Sequence, residues 1–167
     1  MTQPAAPLSR FSGRVHRQTG IGVACLPPAR PAPAPARYHR AGDPWPLYAS
    51  LDPTTAWAEW RAATGGRVDP ADERRRLWRI DVTNLPVLDL RRAEARAALG
   101  VELADLIGPR EACQALAQPA QQLGARGMIV PSAAHDGAWN LVVFPSGLGA
   151  IKPAGSTVRN PAPPPAA

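Results

Sequence analysis

Proline placement constrains this chain more than any other feature. Many of its 21 prolines fall in three stretches: the first nine residues, PPARPAPAPAR at 27–37, and NPAPPPAA at the C-terminus. Proline fixes φ and offers no N–H, so such stretches neither continue a helix nor pair within a sheet. The expected organisation is a flexible N-terminus at 1–12, one folded domain at 13–152, and a disordered Pro/Ala-rich tail at 153–167. Inside that domain, residues 27–36 read as an extended, semi-stiff loop. About 120–130 residues remain for a compact core, which is one domain.

The formal charge is +6 and arginine far outnumbers lysine. A basic balance suits nucleic acid, anionic lipid, or a small anionic ligand or acidic partner. The basic residues are scattered, with a run only at Arg74-Arg75-Arg76, which reads as a solvated face. No nucleic-acid recognition motif is present. No signal peptide opens the chain and no run approaches the roughly 18 apolar residues of a membrane span, so a soluble, cytoplasmic protein is expected. Cys25 and Cys113 lack metal-ligand spacing, and Cys113 sits in an apolar helical pattern as a small core residue.

The remaining segments alternate between strand and helix patterns. GRVHRQTG (13–20) reads as a short strand, and WPLYAS (45–50) as a second, with Tyr48 and Ser50 on one face and Leu47 and Ala49 on the other. Asp52 is an N-cap with Pro53 at the first helical position, opening a helix that stops at Gly65-Gly66. Ala56, Trp60 and Ala63 form its apolar stripe, and Glu59 falls at the stripe's edge. LWRIDV (77–82) and PVLDL (86–90) read as strands joined by a turn at Thr83-Asn84, and RRAEARAAL (91–99) as a helix stopped by Gly100. Pro119 divides the helical composition of 111–125 into two short helices, or marks where a second half begins. GMIVPSA and WNLVVFP are apolar strands, the first delivering Ser132 just past its end, and GLGAIKP (147–153) could add a last strand. The class is α+β: helices flanking a central twisted β core.

Zinc, P-loop and dinucleotide-fold motifs are all absent, and His16, His39 and His135 are too dispersed to hold a metal. Ser132, His135 and Asp136 do not form a nucleophile elbow. What remains in order is Arg17, Arg37, Tyr48, Glu59, Ser132 and Asn140. On VHRQTG, ARYH, LYAS…AWAEW, LWRIDVTNLPVLDL and ACQALAQPAQQLGARGMIVPSA the chain resembles the RES-domain toxins of RES–Xre toxin–antitoxin pairs, from about residue 14 to 152. It departs from their pattern in the Pro-rich loop and at His39-Arg40.

The resemblance implies a fold like that of ADP-ribosyltransferases and an enzyme that degrades NAD⁺ by hydrolysis or phosphorolysis. NAD⁺ is then substrate and inorganic phosphate a candidate co-substrate, with no resident cofactor and no metal. It also implies a cognate Xre-type antitoxin, through which alone the protein would meet DNA, and no membrane. Glu59 is the carboxylate that stabilises a ribosyl cation, as in glycoside cleavage. Tyr48 offers a ring face to nicotinamide. Arg17 and Arg37 suit the pyrophosphate because a guanidinium pairs bidentately. Ser132 is a donor to nicotinamide or phosphate, and Asn140 a further binding residue. Two rival functions stand beside this one: a mono-ADP-ribosyltransferase that uses the same pocket to modify a protein, and a catalytically dead binding module whose basic Pro-rich segments engage a partner.

Overall fold

The computed structural model describes residues 7–164. Among these residues, six strands and five α-helices form a mixed α+β domain: β1 Leu8–Thr19, β2 Leu47–Ser50, α1 Pro53–Thr64, β3 Arg75–Asp89, α2 Ala93–Leu99, α3 Leu103–Ile107, α4 Arg110–Gln114, α5 Ala117–Gln122, β4 Gly127–Pro131, β5 Trp139–Val143 and β6 Ile151–Arg159. The sheet order is β1-β2-β5-β4-β3-β6, and β1 also pairs with β3, so the sheet curls back on itself. β1 runs antiparallel to nearly all of β3, from Leu8↔Leu88 to Thr19↔Arg76. Its link to β2 is the single pair His16↔Ser50. The curl is therefore tight along one seam and barely joined at the other.

Burial follows this geometry. Val15, Leu47, Ile80, Val87, Ile129, Leu141 and Val143 pack together on the inside of the curl. On the outside, Leu88, Met128, Val130, Val142 and Phe144 meet Leu106, Cys113, Leu116 and Ala120 from the α2–α5 side. A third cluster holds α1: Trp57 and Trp60 are 2% and 3% exposed and pack with Ala56 and Leu77.

The caps of α1 are those the sequence indicates. The Asp52 carboxylate accepts from the Thr55 N–H at 2.8 Å, Pro53 occupies the first turn, and Gly65 ends the helix at φ 63°. The proline-rich loop forms neither strand nor helix, and it is held by bonds within itself and to α4. Ala32 and Gly42 or Asp43 exchange backbone hydrogen bonds, and Gln114 donates to the Ala36 carbonyl at 2.9 Å. Tyr38 plugs the loop into the outer core.

Three expectations are corrected. Thr83-Asn84 is not a turn between two strands but a bulge within the single strand β3, where two residues oppose Ser12 of β1. Asn84 takes φ 53°, which asparagine tolerates, and its N–H donates to Ser12 Oγ at 2.8 Å. Residues 8–12 of the supposed flexible N-terminus lie in β1, and 1–6 fall outside the described residues.

The third concerns the tail, where 151–159 form β6 on the free edge of β3. An edge strand tolerates proline. Pro153 sits at a register shift opposite Ile80, with Gly155 at φ 140° beside it. Beyond the strand, Asn160 donates to the carbonyls of Pro70, Ala71 and Glu73, and Arg61 holds the Ala162 carbonyl. Residues 165–167 lie outside the described residues.

Pro119 is the third residue of α5, where its missing N–H would have had no helical partner. Of the arginine run, Arg75 bonds Gln18 and Arg76 stacks over Trp78, so two of the three serve the fold.

Candidate active site

A cleft of about 480 Å³ opens where β1 and β2 separate. Glu59 reaches it from α1, which the two tryptophans fix in place. Its carboxylate is half-buried and accepts two hydrogen bonds on one oxygen: Ser132 Oγ donates to Oε1 at 2.7 Å and Asn140 Nδ2 at 2.6 Å. Ser132 follows the end of β4, is 4% exposed, and accepts the backbone N–H groups of Ala134 and His135 at 3.2 and 3.0 Å. With both lone-pair directions taken by N–H donors, the hydroxyl proton is committed to Glu59. Asn140 is braced in turn by Ser50 Oγ, which donates to its Oδ1 at 2.8 Å.

Tyr48 lines the same cleft from β2. Its hydroxyl meets His39 Nδ1 at 2.8 Å and accepts the Tyr38 N–H at 3.1 Å. His39 Nε2 lies 2.9 Å from the Ala34 carbonyl, which only accepts, so Nε2 carries the proton and Nδ1 receives that of Tyr48. Burial pushes the phenol above its ordinary range, opposed by the Tyr38 N–H bond. Tyr48 therefore presents its ring, with the hydroxyl tied into the Pro-rich loop.

Two expected arginines reach the cleft differently. Arg17 donates NH1 to the Tyr48 carbonyl at 3.0 Å, and its Nε is buried with no protein partner. Burial lowers its pKa, opposed by its neighbour Cys25. Among the described residues it pairs with no carboxylate, so an anion in the cleft would offset its desolvation. Arg37 NH1 is spent on the carbonyls of Gly108 at 2.8 Å and Leu106 at 3.4 Å, tying the Pro-rich loop to the end of α3.

The RES domain family model matches residues 7–161. The chain belongs to the RES domain family. A probable NAD(+) phosphorylase of Mycobacterium tuberculosis, Rv3189, is 40% identical over 142 residues, spanning 84% of this RES chain and 67% of that protein. The NAD(+) phosphorylase MbcT of the same species is 46% identical over 59 residues, 35% of this chain and 32% of MbcT. In structure, the M. tuberculosis MbcT–MbcA toxin–antitoxin complex contains a chain that matches with TM-score 0.74 and 28% identity, over 92% of this chain and 87% of that one.

Within this RES domain, Arg17, Arg37, Tyr48, Glu59 and Asn140 all line one cleft, and Ser132 stands behind Glu59. Ser132 was expected to face the ligand; its one proton goes instead to the carboxylate. His135 does not activate it: the ring Nδ1 lies 2.8 Å from Thr55 Oγ1, which itself donates to Asp52 at 2.7 Å. Sequence reasoning passed over Ser50, His16 and Arg110, which also line the cleft. Ser50 carried one usable signal, since it shares the Tyr48 face of β2. Among the described residues, no group of three or more His, Cys, Asp or Glu could hold a metal ion. No described helix is long and apolar enough to cross a membrane.

Proposed function

We propose that this RES-domain protein cleaves the nicotinamide–ribose bond of NAD⁺, passes the ADP-ribosyl group to inorganic phosphate, and acts as the toxin of a toxin–antitoxin pair. The observation that carries this reading is Glu59: a single carboxylate pinned through Oε1 at the wall of a cleft that also holds Arg17 and Tyr48. The likeness to proteins named as NAD(+) phosphorylases supports it.

The chemistry needs no more acidic groups than the cleft offers. As the C1′–N bond breaks, its electron pair neutralises the positive nicotinamide ring, so the leaving group takes no proton. Positive charge grows on C1′ and the ring oxygen, and a carboxylate that cannot swing away stabilises it without reorganising. A phosphate oxygen then forms the new C1′–O bond, giving ADP-ribose 1-phosphate and nicotinamide. Tyr48 offers a ring face to the cationic nicotinamide. Arg17 takes the pyrophosphate, with Arg37 assisting through the donors not committed to α3. Ser132 acts through Glu59, as a positioning residue. The curled sheet with a carboxylate at its loosely joined seam is also why we place the fold beside the ADP-ribosyltransferases.

The same reading gives the protein a cytoplasmic home and an antitoxin of the Xre type, through which it would meet DNA. With a formal charge of +6 and arginines around the cleft, an acidic segment of that partner would compete with NAD⁺ there. The deciding experiment incubates purified protein with NAD⁺ and ³²P-labelled phosphate. Labelled ADP-ribose 1-phosphate is expected. Unlabelled ADP-ribose would make water the acceptor, and ADP-ribose on protein would favour a mono-ADP-ribosyltransferase. Intact NAD⁺ would overturn the enzymatic reading.

A further inference from the structure

Glu59 is held by two donors, and one of them has an alignment problem. An asparagine side chain presents an oxygen on one side and an NH₂ on the other, at nearly equal size. Asn140 must turn its nitrogen to Glu59 Oε1, because a carboxylate only accepts and the contact is 2.6 Å. Its oxygen must then be matched on the other side, in a half-buried site where an unpaired carbonyl is costly.

Ser50 fills that place. It is 3% exposed, lies directly across from Asn140 in the β2–β5 register, and donates to Asn140 Oδ1 at 2.8 Å. The three groups point head to tail: Ser50 O–H to Asn140 C=O, Asn140 N–H to Glu59. Aligned donors in series polarise one another, and here the series ends on the carboxylate. Ser50 is also the β2 residue that makes the lone pair with β1, so it sits where the cleft begins.

We propose that Ser50 is a positioning residue for the reaction: its hydroxyl fixes the Asn140 amide in the orientation that donates to Glu59. Glu59 then has a brace on each side, Ser132 from the end of β4 and the Ser50–Asn140 pair from the β2–β5 ladder. Losing the Ser50 hydroxyl frees the amide to turn or swing, and Glu59 loses the second brace without losing its own charge. The proposal rests on the assignment of NAD⁺ cleavage for its kinetic test, and the geometric test below stands apart from it.

The kinetic test is a double-mutant cycle of Ser50→Ala and Asn140→Ala with NAD⁺ and phosphate. Ser50→Ala is expected to lower kcat about tenfold and leave KM for NAD⁺ within about twofold, as for a lost orienting hydrogen bond. In the Asn140→Ala background it should do nothing further, because the partner through which it acts is gone. Multiplying effects, or an unchanged kcat in the single variant, would overturn the role. If Ser50→Ala does not fold, Ser50→Cys, which keeps the volume with a poor donor, goes through the same cycle.

The geometric test is the side-chain amide NMR signal of Asn140, assigned by its loss in Asn140→Ala. The proton facing Glu59 is expected to be shifted and slow to exchange in wild type, and to lose both properties in Ser50→Ala. Identical signals in the two proteins would overturn the proposal. A wild-type protein that leaves NAD⁺ intact would sink the enzymatic reading, and the Asn140 signal would still decide what Ser50 does.

Discussion

Ser132 spends its only proton on Glu59: the hydroxyl lies 2.7 Å from Oε1 and takes the N–H groups of Ala134 and His135 on its other side. Such a serine has no proton left for a ligand. Ser132→Ala should therefore lower kcat by roughly tenfold to hundredfold, the cost of a hydrogen bond to a charged group, with little change in NAD⁺ affinity. Steady-state kinetics against calorimetric binding separates the two quantities. A variant that loses affinity and keeps kcat would make Ser132 a ligand contact instead.

The arginines should part company. Arg17 brings a buried, unpaired Nε to the cleft, so Arg17→Lys should weaken NAD⁺ binding by about 1–3 kcal/mol in a Glu59→Gln background. Arg37 spends NH1 on the end of α3, so Arg37→Lys should cost thermal stability more than affinity. Equal losses of affinity with no change in melting temperature would contradict the distinction.

Trp60 is almost fully buried under α1 with Trp57 and Leu77. Trp60→Ala should destabilise the protein by about 3–5 kcal/mol, as large-to-small aromatic changes in a core do. Denaturant unfolding measures it. A loss below about 1 kcal/mol would mean that the cluster collapses around the gap and does not fix the helix.

Helix α1 was legible in the sequence because its signals are local: Asp52-Pro53 opens it, Gly65-Gly66 closes it, and Glu59 is half-buried as expected. Its buried face was legible only in part, since Ala63 of the expected stripe is exposed and Trp57 and Ala58 are buried instead. Strand β6 was legible only at its start, where GLGAIKP covers Ile151 to Pro153. Its proline and glycine made the rest read as tail, and what makes it a strand is a partner some seventy residues earlier in the chain, β3, which completes its ladder. The Thr83-Asn84 pair misled for the reverse reason, since a local turn signal yields to the long pairing with β1. At the site, it was the resemblance to the RES-domain toxins, carried by motifs in order along the chain, that pointed to Glu59 and Tyr48. No pattern within the chain could indicate that the Ser132 proton crosses 73 positions to Glu59, or that Ser50 reaches Asn140 across 90.

His16 makes stability depend on pH. Burial lowers its pKa from 6.5, with Arg14 and Arg79 adding to the effect and Asp52 opposing it, and its Nδ1 is buried without a partner. The unfolded chain takes up the proton as pH falls through 6.5, whereas the folded protein resists it down to its own lower value. The stability is thus full above pH 6.5 and declines as pH falls from there to the folded protein's lower value. Denaturant midpoints from about pH 7.5 to about pH 5.5 should fall, and less so in His16→Gln. An equal fall in both proteins would assign the effect elsewhere.

The central claim is that the Glu59 carboxylate carries the chemistry, and nicotinamide release by purified Glu59→Gln tests it most directly. The amide keeps the shape but cannot balance a growing cation, so release should fall by about 10²–10³-fold while the melting temperature stays near wild type. Release within threefold of wild type, from a folded Glu59→Gln protein, would contradict it.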